Sequence, residues 1–293
     1  MTLLSASIDG VPRTWPRISH LPRLARRHPL VFTGGGLLAL VMVMALAAPV
    51  YAGDPMDMDP FKLLQPASAA MWFGTDSLGR DVFARAMFGA RISLVVGLVS
   101  TTGAALAGLL IGVIAGYSRS FDNVMMRVMD GLMSIPTILL AIALVSLTGP
   151  GIGILIVAIT IPSIPTTARL VRSVVLSVRD SPYVVAALCG GARLPKVLWR
   201  HILPNTIPPL MIQSANVCAG AVLTEAGLSF LGAGVPPDIP SWGNMIASSR
   251  LYISIAPLTV FAPGICLAVT VLAVNLLGDG LRDMFDPRSK VRR

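Results

Sequence analysis

Four long stretches of this sequence carry no charged side chain. The uncharged stretches contain 27 residues after Arg91, 38 after Asp130, 24 after Arg200 and 28 after Arg250. A helix of about 20 apolar residues crosses the hydrocarbon core of a bilayer, and it satisfies its own backbone hydrogen bonds there. Charged residues make up only 13% of the chain, whereas water-soluble domains average about 25%. The sequence therefore predicts an all-α, polytopic membrane protein.

Hydropathy and turn signals divide the chain into six transmembrane helices. The 38-residue stretch is too long for one helix, and it is split at the turn sequence TGPGIG, residues 148–153. Another apolar run precedes the first of the four stretches. The predicted spans are 31–51, 92–117, 128–147, 152–171, 207–230 and 256–279.

The distribution of lysine and arginine predicts the orientation of these helices. Cytoplasmic loops of membrane proteins carry an excess of both residues. With the N-terminus inside, the cytoplasmic segments hold 18 of the 23 basic residues and the outer segments hold five. Both termini, residues 1–30 and 282–293, are therefore predicted to be cytoplasmic. The net charge of +9 then reflects topology and contact with anionic membrane lipid, and no nucleic-acid partner is predicted.

The sequence contains none of the common signatures of an enzyme or a metal site. It lacks the phosphate-binding loop of ATP-hydrolysing proteins and the HExxH and GxSxG motifs of hydrolases. Cys189, Cys218 and Cys266 lie far apart, so neither a metal site nor a disulfide is predicted. An intramembrane aspartyl protease is the alternative, with Asp130 and Asp279 as its only candidate aspartates. We predict a non-catalytic chain without a cofactor of its own.

The N-terminal region permits a second alternative, a cleaved signal peptide. Arg23, Arg26 and Arg27 precede an apolar run that ends in PVYAGD, where Val50 and Ala52 suit a signal peptidase. The apolar run and the segment before it are both long for a signal peptide. We therefore expect the run to be retained as the first transmembrane helix.

The segment 180–204 differs from the spans on either side because it is basic and is interrupted by glycine and proline. Glycine permits a backbone reversal, whereas proline favours the first turn of a helix and disrupts later turns. The segment predicts a helix–turn–helix hairpin on the cytoplasmic surface. Its signals in chain order are a cap at Asp180 or Ser181, Pro182, the pair Gly190-Gly191, Pro195 and a stop at Pro204.

The second helix of this hairpin is predicted to be amphipathic. An interfacial helix would bury its apolar face in lipid, whereas a docking element would bury that face in a partner protein. Periodicity alone leaves both interpretations open. One face carries Val197, Leu198, His201 and Ile202, and the other carries Lys196, Trp199 and Arg200.

Four stretches of the sequence give this chain a resemblance to a known family. The stretch VAALCGGARLPKVLWRHILP, residues 185–204, resembles the EAA loop of binding-protein-dependent ABC importer permeases. Val185 stands where that family usually has glutamate. The stretches 73–94, 225–245 and 275–288 resemble the C-type permease subunit of the dipeptide/oligopeptide/nickel group. Residues that match the EAA pattern are Ala186, Ala187, Gly191, Leu203 and Pro204.

This resemblance implies a type I ABC importer permease fold with a cytoplasmic coupling helix between spans 4 and 5. Residues 31–91 would form the first span and an extracytoplasmic loop, and residues 92–281 the transmembrane domain with a coupling loop at 172–205. The implied location is the bacterial plasma (inner) membrane. The implied partners are a second homologous permease subunit in a heterodimer, an extracytoplasmic solute-binding protein, and two ATP-binding cassette subunits that carry ATP and Mg.

The resemblance also implies that this chain forms half of a translocation pathway for di- or oligopeptides. Nickel, glutathione, opines or another small solute are alternative cargoes. A channel or secondary transporter independent of ATPases, and a membrane scaffold without transport, are alternatives of a different class.

Three groups of residues are candidate functional sites. Gln213, Asn216 and Glu225 are expected near the translocation path, although each also suits a structural hydrogen bond. Asp238 and Trp242 are expected to face the binding protein, with an interfacial anchor as the alternative for Trp242. The expected ATPase-coupling loop comprises Val185, Ala186, Ala187, Gly191, Arg193, Pro195, Val197, Leu198, His201, Leu203 and Pro204.

Overall fold

The computed structural model describes residues 28–285, so the predictions for residues 1–27 and 286–293 lie outside the described part of the chain. Within this range, α-helices account for most of the structure. They are α1 (Pro29–Tyr51), α2 (Val82–Tyr117), α3 (Arg119–Met133), α4 (Thr137–Thr148), α5 (Ile152–Arg179), α6 (Pro182–Cys189), α7 (Leu194–Val197), α8 (Leu203–Phe230), α9 (Trp242–Ser249) and α10 (Leu258–Phe285). A π-helical segment, Leu198–Ile202, joins α7 to α8, and a 3₁₀ turn, Arg250–Tyr252, follows α9.

Five helical rods are long and apolar enough to cross a membrane. They are α1, α2, α5, the continuous rod Leu194–Phe230 and α10. A sixth span results if α3 and α4 are counted together, although they meet at an angle of 89°. The predicted all-α, polytopic class is therefore confirmed. The helix α2 begins ten residues earlier than predicted, and the rod that contains the fifth span begins within the coupling hairpin.

The third predicted span, 128–147, is wrong as a single straight helix. The chain breaks at Ser134–Pro136, between α3 and α4. Proline has no N–H to donate, and its ring disfavours helical geometry in the residue before it, here Ile135. The 12 residues of α4 rise about 18 Å, which is short of the bilayer core of about 30 Å.

Small residues on α2 permit its close contact with α5. Gly108, Gly112 and Gly116 recur every four residues on the α2 face that meets α5. A Cβ added at Gly112 would lie 2.6 Å from the Ala168 carbonyl oxygen and 2.7 Å from Val171 Cβ. Helices in lipid associate chiefly through such close van der Waals packing. This pair forms the centre of the bundle.

The first span packs against the last one through a second pair of glycines. A Cβ at Gly34 of α1 would lie 2.5 Å from the Leu277 backbone nitrogen, and one at Gly280 of α10 would lie 2.5 Å from that of Val31. The backbones of α1 and α10 therefore touch at two points. This contact attaches the first span to the rest of the bundle.

The loop between α1 and α2 is organised around a buried carboxylate. Asp76 accepts a hydrogen bond from Arg80 Nε at 2.8 Å, and its Oδ2 lies 3.7 Å from Arg85 Nε. All three side chains are buried. Arg85 also donates to the Pro55 carbonyl oxygen at 3.3 Å, so the network ties the end of the loop and the first turn of α2 to the start of the loop. A buried ion pair is tolerated where hydrogen bonds satisfy both partners, as they do here.

Candidate coupling site and translocation path

The hairpin has its first helix begin at Pro182, as predicted but without the predicted side-chain cap, and it turns at Gly191. Pro182 occupies the first turn of α6, although the Ser181 hydroxyl donates back to the Ser177 carbonyl instead of capping the helix. Gly191 has a φ of +81°, and a Cβ added there would meet nothing within 4 Å. The glycine is therefore required for its left-handed backbone and not for space.

The second arm of the hairpin does not stop at Pro204, which corrects the prediction. The wide turn of the π-helical segment Leu198–Ile202 carries the chain into α8, and Pro204 lies in the first turn of that helix. The Leu203 N–H donates to the Leu198 carbonyl, five residues earlier. This wider turn accommodates a proline that could not continue an ordinary α-helix. The second arm is thus one end of the membrane-spanning rod Leu194–Phe230.

The apolar face of the second arm packs against the chain's own helices. Val197 and Ile202 are fully buried together with Val184 of α6 and with Val171 and Val175 of α5. Leu198 and His201, from the same predicted face, are half-buried. Val197 and Ile202 therefore belong to a hydrophobic core of the hairpin itself, and only the exposed parts of Leu198 and His201 remain available to lipid or a partner protein.

The exposed surface of the hairpin is apolar and basic. Val185 is 47% exposed and Trp199 is 77% exposed, and Leu188 and Leu194 are exposed between them. Val185, where the family usually has glutamate, adds no negative charge to this surface. The other exposed members of the predicted coupling loop are Ala186, Gly191, Arg193, Pro195 and Pro204, whereas Ala187 and Leu203 are half-buried.

The residues predicted to lie near the translocation path separate into two environments on α8. Asn216 is exposed and Gln213 is half-buried, three positions apart on one helix face. Glu225 is fully buried, and its carboxyl oxygens accept hydrogen bonds from Ser93 at 2.8 Å and Ser229 at 2.9 Å. Glu225 is therefore closed off from any path open to a solute in this structure. The observed bonds fit the alternative expectation for Glu225, a structural hydrogen-bonding role.

The two residues predicted to face the binding protein also separate. Asp238 is exposed on the outer loop. Trp242 is 0% exposed, and its indole Nε1 donates to the Ala86 carbonyl oxygen at 2.9 Å. The indole is thus neither a docking surface nor an interfacial anchor, which corrects both interpretations. Ser241, whose hydroxyl accepts from the Asn244 N–H, caps α9 and directs Trp242 inward. The spacing S-x-x-N was the signal for this helix.

Comparison with known proteins agrees with this arrangement. The family model described as "Binding-protein-dependent transport system inner membrane component" matches residues 108–291. The probable peptide ABC transporter permease protein y4tQ of Sinorhizobium fredii is 73% identical over 293 residues, which is 100% of both chains. The chain belongs to the binding-protein-dependent ABC importer permeases.

Other relatives and a solved structure support the assignment of this permease. The dipeptide transport system permease protein DppC of Alkalihalophilus pseudofirmus is 39% identical, covering 90% of this chain and 88% of that protein. The glutathione transport system permease protein GsiD of Pectobacterium atrosepticum is 40% identical, covering 92% and 90%. The inward-facing MetNI methionine ABC transporter has the same fold, with a TM-score of 0.58 and 21% identity over 68% of this chain and 95% of that one.

Family membership confirms the recognised resemblance and the type I importer fold. The permease is a multi-pass protein of the inner membrane and a transport subunit. Its family works with ATPase and binding-protein partners. Among residues 28–285, no group of three or more His, Cys, Asp or Glu side chains could hold a metal ion.

Two ion pairs that sequence reasoning missed tie α3 of the permease to α5. Arg172 Nη2 donates to Asp122 Oδ2 at 2.6 Å, and its Nε also contacts Asp122. Arg169 pairs with Asp130, one of the two aspartates considered for a protease. The partners are 50 and 39 residues apart, so no local pattern marks them. Because α5 leads directly into α6, α3 is coupled to the base of the hairpin.

Proposed function

We propose that this permease forms half of the translocation pathway of an ATP-driven importer of di- or oligopeptides. A second, homologous permease would complete the pore, two ATP-binding cassette subunits would supply the energy, and an extracytoplasmic protein would deliver the peptide. The observation that carries the proposal is the hairpin: its inner face is anchored in α5 and its outer face is free, apolar and basic. The printed names of the relatives, which include peptide and dipeptide permeases, support the cargo.

The charges of the outer segments support cytoplasmic termini. Arg80 and Arg85 belong to the buried Asp76 network, and Lys62 pairs with Asp59 at 2.8 Å. Arg91 and Arg250 lie over aromatic rings of the chain, at 5.9 and 5.6 Å from the ring centroids. The five outer basic residues thus have partners within the chain. The inner segments hold 18 basic residues against these five, and this excess supports cytoplasmic termini.

The packing of the hairpin on α5 suits it to transmit movement to the transmembrane helices. Its core of Val184, Val197 and Ile202 packs on Val171 and Val175, so a movement of the hairpin carries α5 with it. If the permease has two conformations, shifting their ratio from 1:99 to 99:1 requires a partner that binds one conformation about 5.5 kcal/mol more tightly than the other. ATP-driven closure of the partner subunits would deliver this energy through the exposed face. α5 and α8, which leave the hairpin on either side, would then move together.

Crosslinking from the hairpin tests this assignment. A photoreactive residue at Val185, which is exposed, should crosslink to an ATP-binding cassette subunit in membranes that contain the whole importer. The same residue at Val184, which is buried next to it, is the matched control and should give no such product. Capture of lipid alone from the Val185 position, or equal capture from both, would contradict ATPase docking.

Glutathione is the second cargo that a specific observation favours, because one full-length relative is a glutathione permease. Glutathione is a modified tripeptide, so the same pore chemistry suits it. Competition between a dipeptide and glutathione for the purified binding protein distinguishes the two cargoes. The peptide assignment requires the dipeptide to bind in preference.

A further inference from the structure

One helical rod, which includes the π-helical segment Leu198–Ile202 and the pair Pro208-Pro209, runs from the coupling hairpin towards the outer loop. It spans Leu194–Phe230, 37 residues, which corresponds to about 55 Å at 1.5 Å per residue. Its cytoplasmic end contributes Val197 and Ile202 to the hairpin core. Glu225 lies one and a half turns from its outer end.

Glu225 has an unusual environment for a carboxyl group inside a membrane protein. It is 0% exposed, and none of the ion pairs formed by residues 28–285 includes it. Its partners are serine hydroxyls from different elements: Ser93 of α2 donates to one oxygen and Ser229 of α8 to the other. Through Ser93, the carboxyl group therefore joins α8 to α2.

The hydrogen bonds continue from Glu225 into the outer segment, residues 231–249. Ser229 Oγ, which donates to Glu225, accepts from the Val235 N–H at 3.2 Å. Asn244 Nδ2 in turn donates to the Val235 carbonyl at 2.9 Å. The outer segment is thus bonded to the rod through a continuous chain of polar contacts.

Close backbone packing fastens the same segment. A Cβ at Gly234 would lie 2.1 Å from Ser229 Oγ, and one at Gly243 would lie 2.6 Å from the Ala226 carbonyl oxygen. The Trp242 indole reaches across to Ala86 of α2. Packing alone would therefore hold the segment near the rod, and an apolar residue at position 225 would cost less to bury than a carboxyl group. The polar bonds add a fixed geometry that apolar contact lacks.

We propose that Glu225 is a positioning residue that fastens the outer segment to the rod, so that movement of the coupling hairpin is delivered to the extracytoplasmic side. The inference rests on the proposed function, because it assumes that ATPases move the hairpin. The rod supplies the connection across the membrane. The Glu225 bonds hold the rod against α2 through Ser93, and they orient the Ser229 hydroxyl that accepts from the Val235 N–H of the outer segment. Without them, the outer segment would follow the rod only loosely.

Transport measured per ATP hydrolysed tests this role in the complete importer: both permeases, both ATPase subunits and the binding protein in liposomes. Glu225→Ala removes all the carboxyl bonds and should lower peptide uptake per ATP by about tenfold or more. Glu225→Gln keeps one acceptor oxygen and replaces the other with an NH2 group that can donate to a serine hydroxyl, so it should restore uptake per ATP to within about threefold of wild type. The control Thr224→Ala, at the adjacent half-buried position, should leave the ratio unchanged.

The distance between the rod and the outer segment is a second measurement. Loss of a residue that only stabilises the fold would leave this distance unchanged. Spin labels are attached to cysteines introduced at Met211 on the rod and at Asp238 on the outer segment, both exposed positions. The native Cys189, Cys218 and Cys266 are replaced first, so that only the two introduced cysteines are labelled. Wild-type protein should give one narrow distance distribution, unchanged between nucleotide-free and ATP-bound importers. Glu225→Ala should broaden it. If that variant does not assemble, Ser93→Ala, which removes a single hydroxyl, should broaden the distribution to a smaller degree.

The outcomes separate this inference from the proposed function. Wild-type importer that hydrolyses ATP without moving peptide contradicts the proposed function. Wild-type importer that moves peptide, with Glu225→Ala at the same uptake per ATP and the same narrow distance distribution, overturns the role of Glu225 alone. An equal loss in Glu225→Gln and Glu225→Ala also overturns it, because the proposal depends on hydrogen bonding and not on charge.

Discussion

Replacement of Gly191 by alanine should loosen the coupling hairpin through the backbone alone. Gly191 holds a φ of +81°, which a residue with a Cβ resists, and the space around its Cβ position is empty. The left-handed conformation costs about 1–2 kcal/mol for an ordinary L-residue. That cost corresponds to a shift of about 5–30-fold in the equilibrium between the closed turn and its opened forms. Gly191→Asn should cost less, because asparagine tolerates this conformation.

The neighbouring glycine provides the matched control. Gly190 has a φ of −76°, which any residue adopts, and a Cβ there would lie 3.3 Å from the Ala186 carbonyl oxygen. Gly190→Ala therefore requires only a small adjustment. The two variants add the same methyl group to adjacent, exposed positions. Any difference between them measures the backbone conformation.

Amide hydrogen exchange of the protein in nanodiscs measures the equilibrium between the closed turn and its opened forms directly. The N–H groups of Gly191 and Ala192 donate to the carbonyls of Leu188 and Ala187 across the turn, both at 3.0 Å. Exchange at these amides should be about 5–30-fold faster in Gly191→Ala, whereas Gly190→Ala should resemble wild type. Equal acceleration in both variants, or none in Gly191→Ala, would refute the argument from backbone strain.

Three further predictions follow from other contacts. Gly112→Val should prevent the close approach of α2 and α5, because its Cβ would lie 2.6 Å from the Ala168 carbonyl oxygen. The purified variant should lose its monodisperse chromatographic peak. The control Gly220→Val should keep that peak, because a Cβ at Gly220 meets nothing within 4 Å. Trp242→Phe should lower stability by about 1–3 kcal/mol by leaving the buried Ala86 carbonyl without its donor, and an unchanged unfolding midpoint would contradict this. Reporter fusions after residues 65 and 240 should be extracytoplasmic and one after residue 190 cytoplasmic; an extracytoplasmic signal at 190 would reverse the topology.

Features that depend on local chemistry could be read from the sequence. The spans follow from uncharged runs long enough for a bilayer, and the left-handed turn at Gly191 follows from a glycine pair between two helix starts. The motif at 185–204 marked the hairpin because its pattern is continuous in the chain. The break at Ser134–Pro136 was also encoded locally, but the long uncharged run concealed it.

Features that depend on distant partners could not be read in this way. Glu225 is bonded by Ser93, 132 residues earlier in the chain, and Trp242 donates to Ala86, 156 residues away. A lone glutamate or tryptophan near the end of a span looks the same in sequence whether it faces a pathway, a lipid headgroup or the protein core. The apolar face of the second hairpin arm posed the same problem. Its partners, Val171 and Val175, lie on α5, and no periodicity identifies them.

Peptide uptake by reconstituted liposomes tests the central claim most directly. Liposomes that contain the permease, its second permease and both ATPase subunits, with binding protein and a labelled dipeptide on the extracytoplasmic side, should accumulate the dipeptide when ATP is supplied to the ATPases. Liposomes with this chain alone should accumulate none. Uptake by this chain alone, or uptake by the complete importer that does not require ATP, would contradict the account.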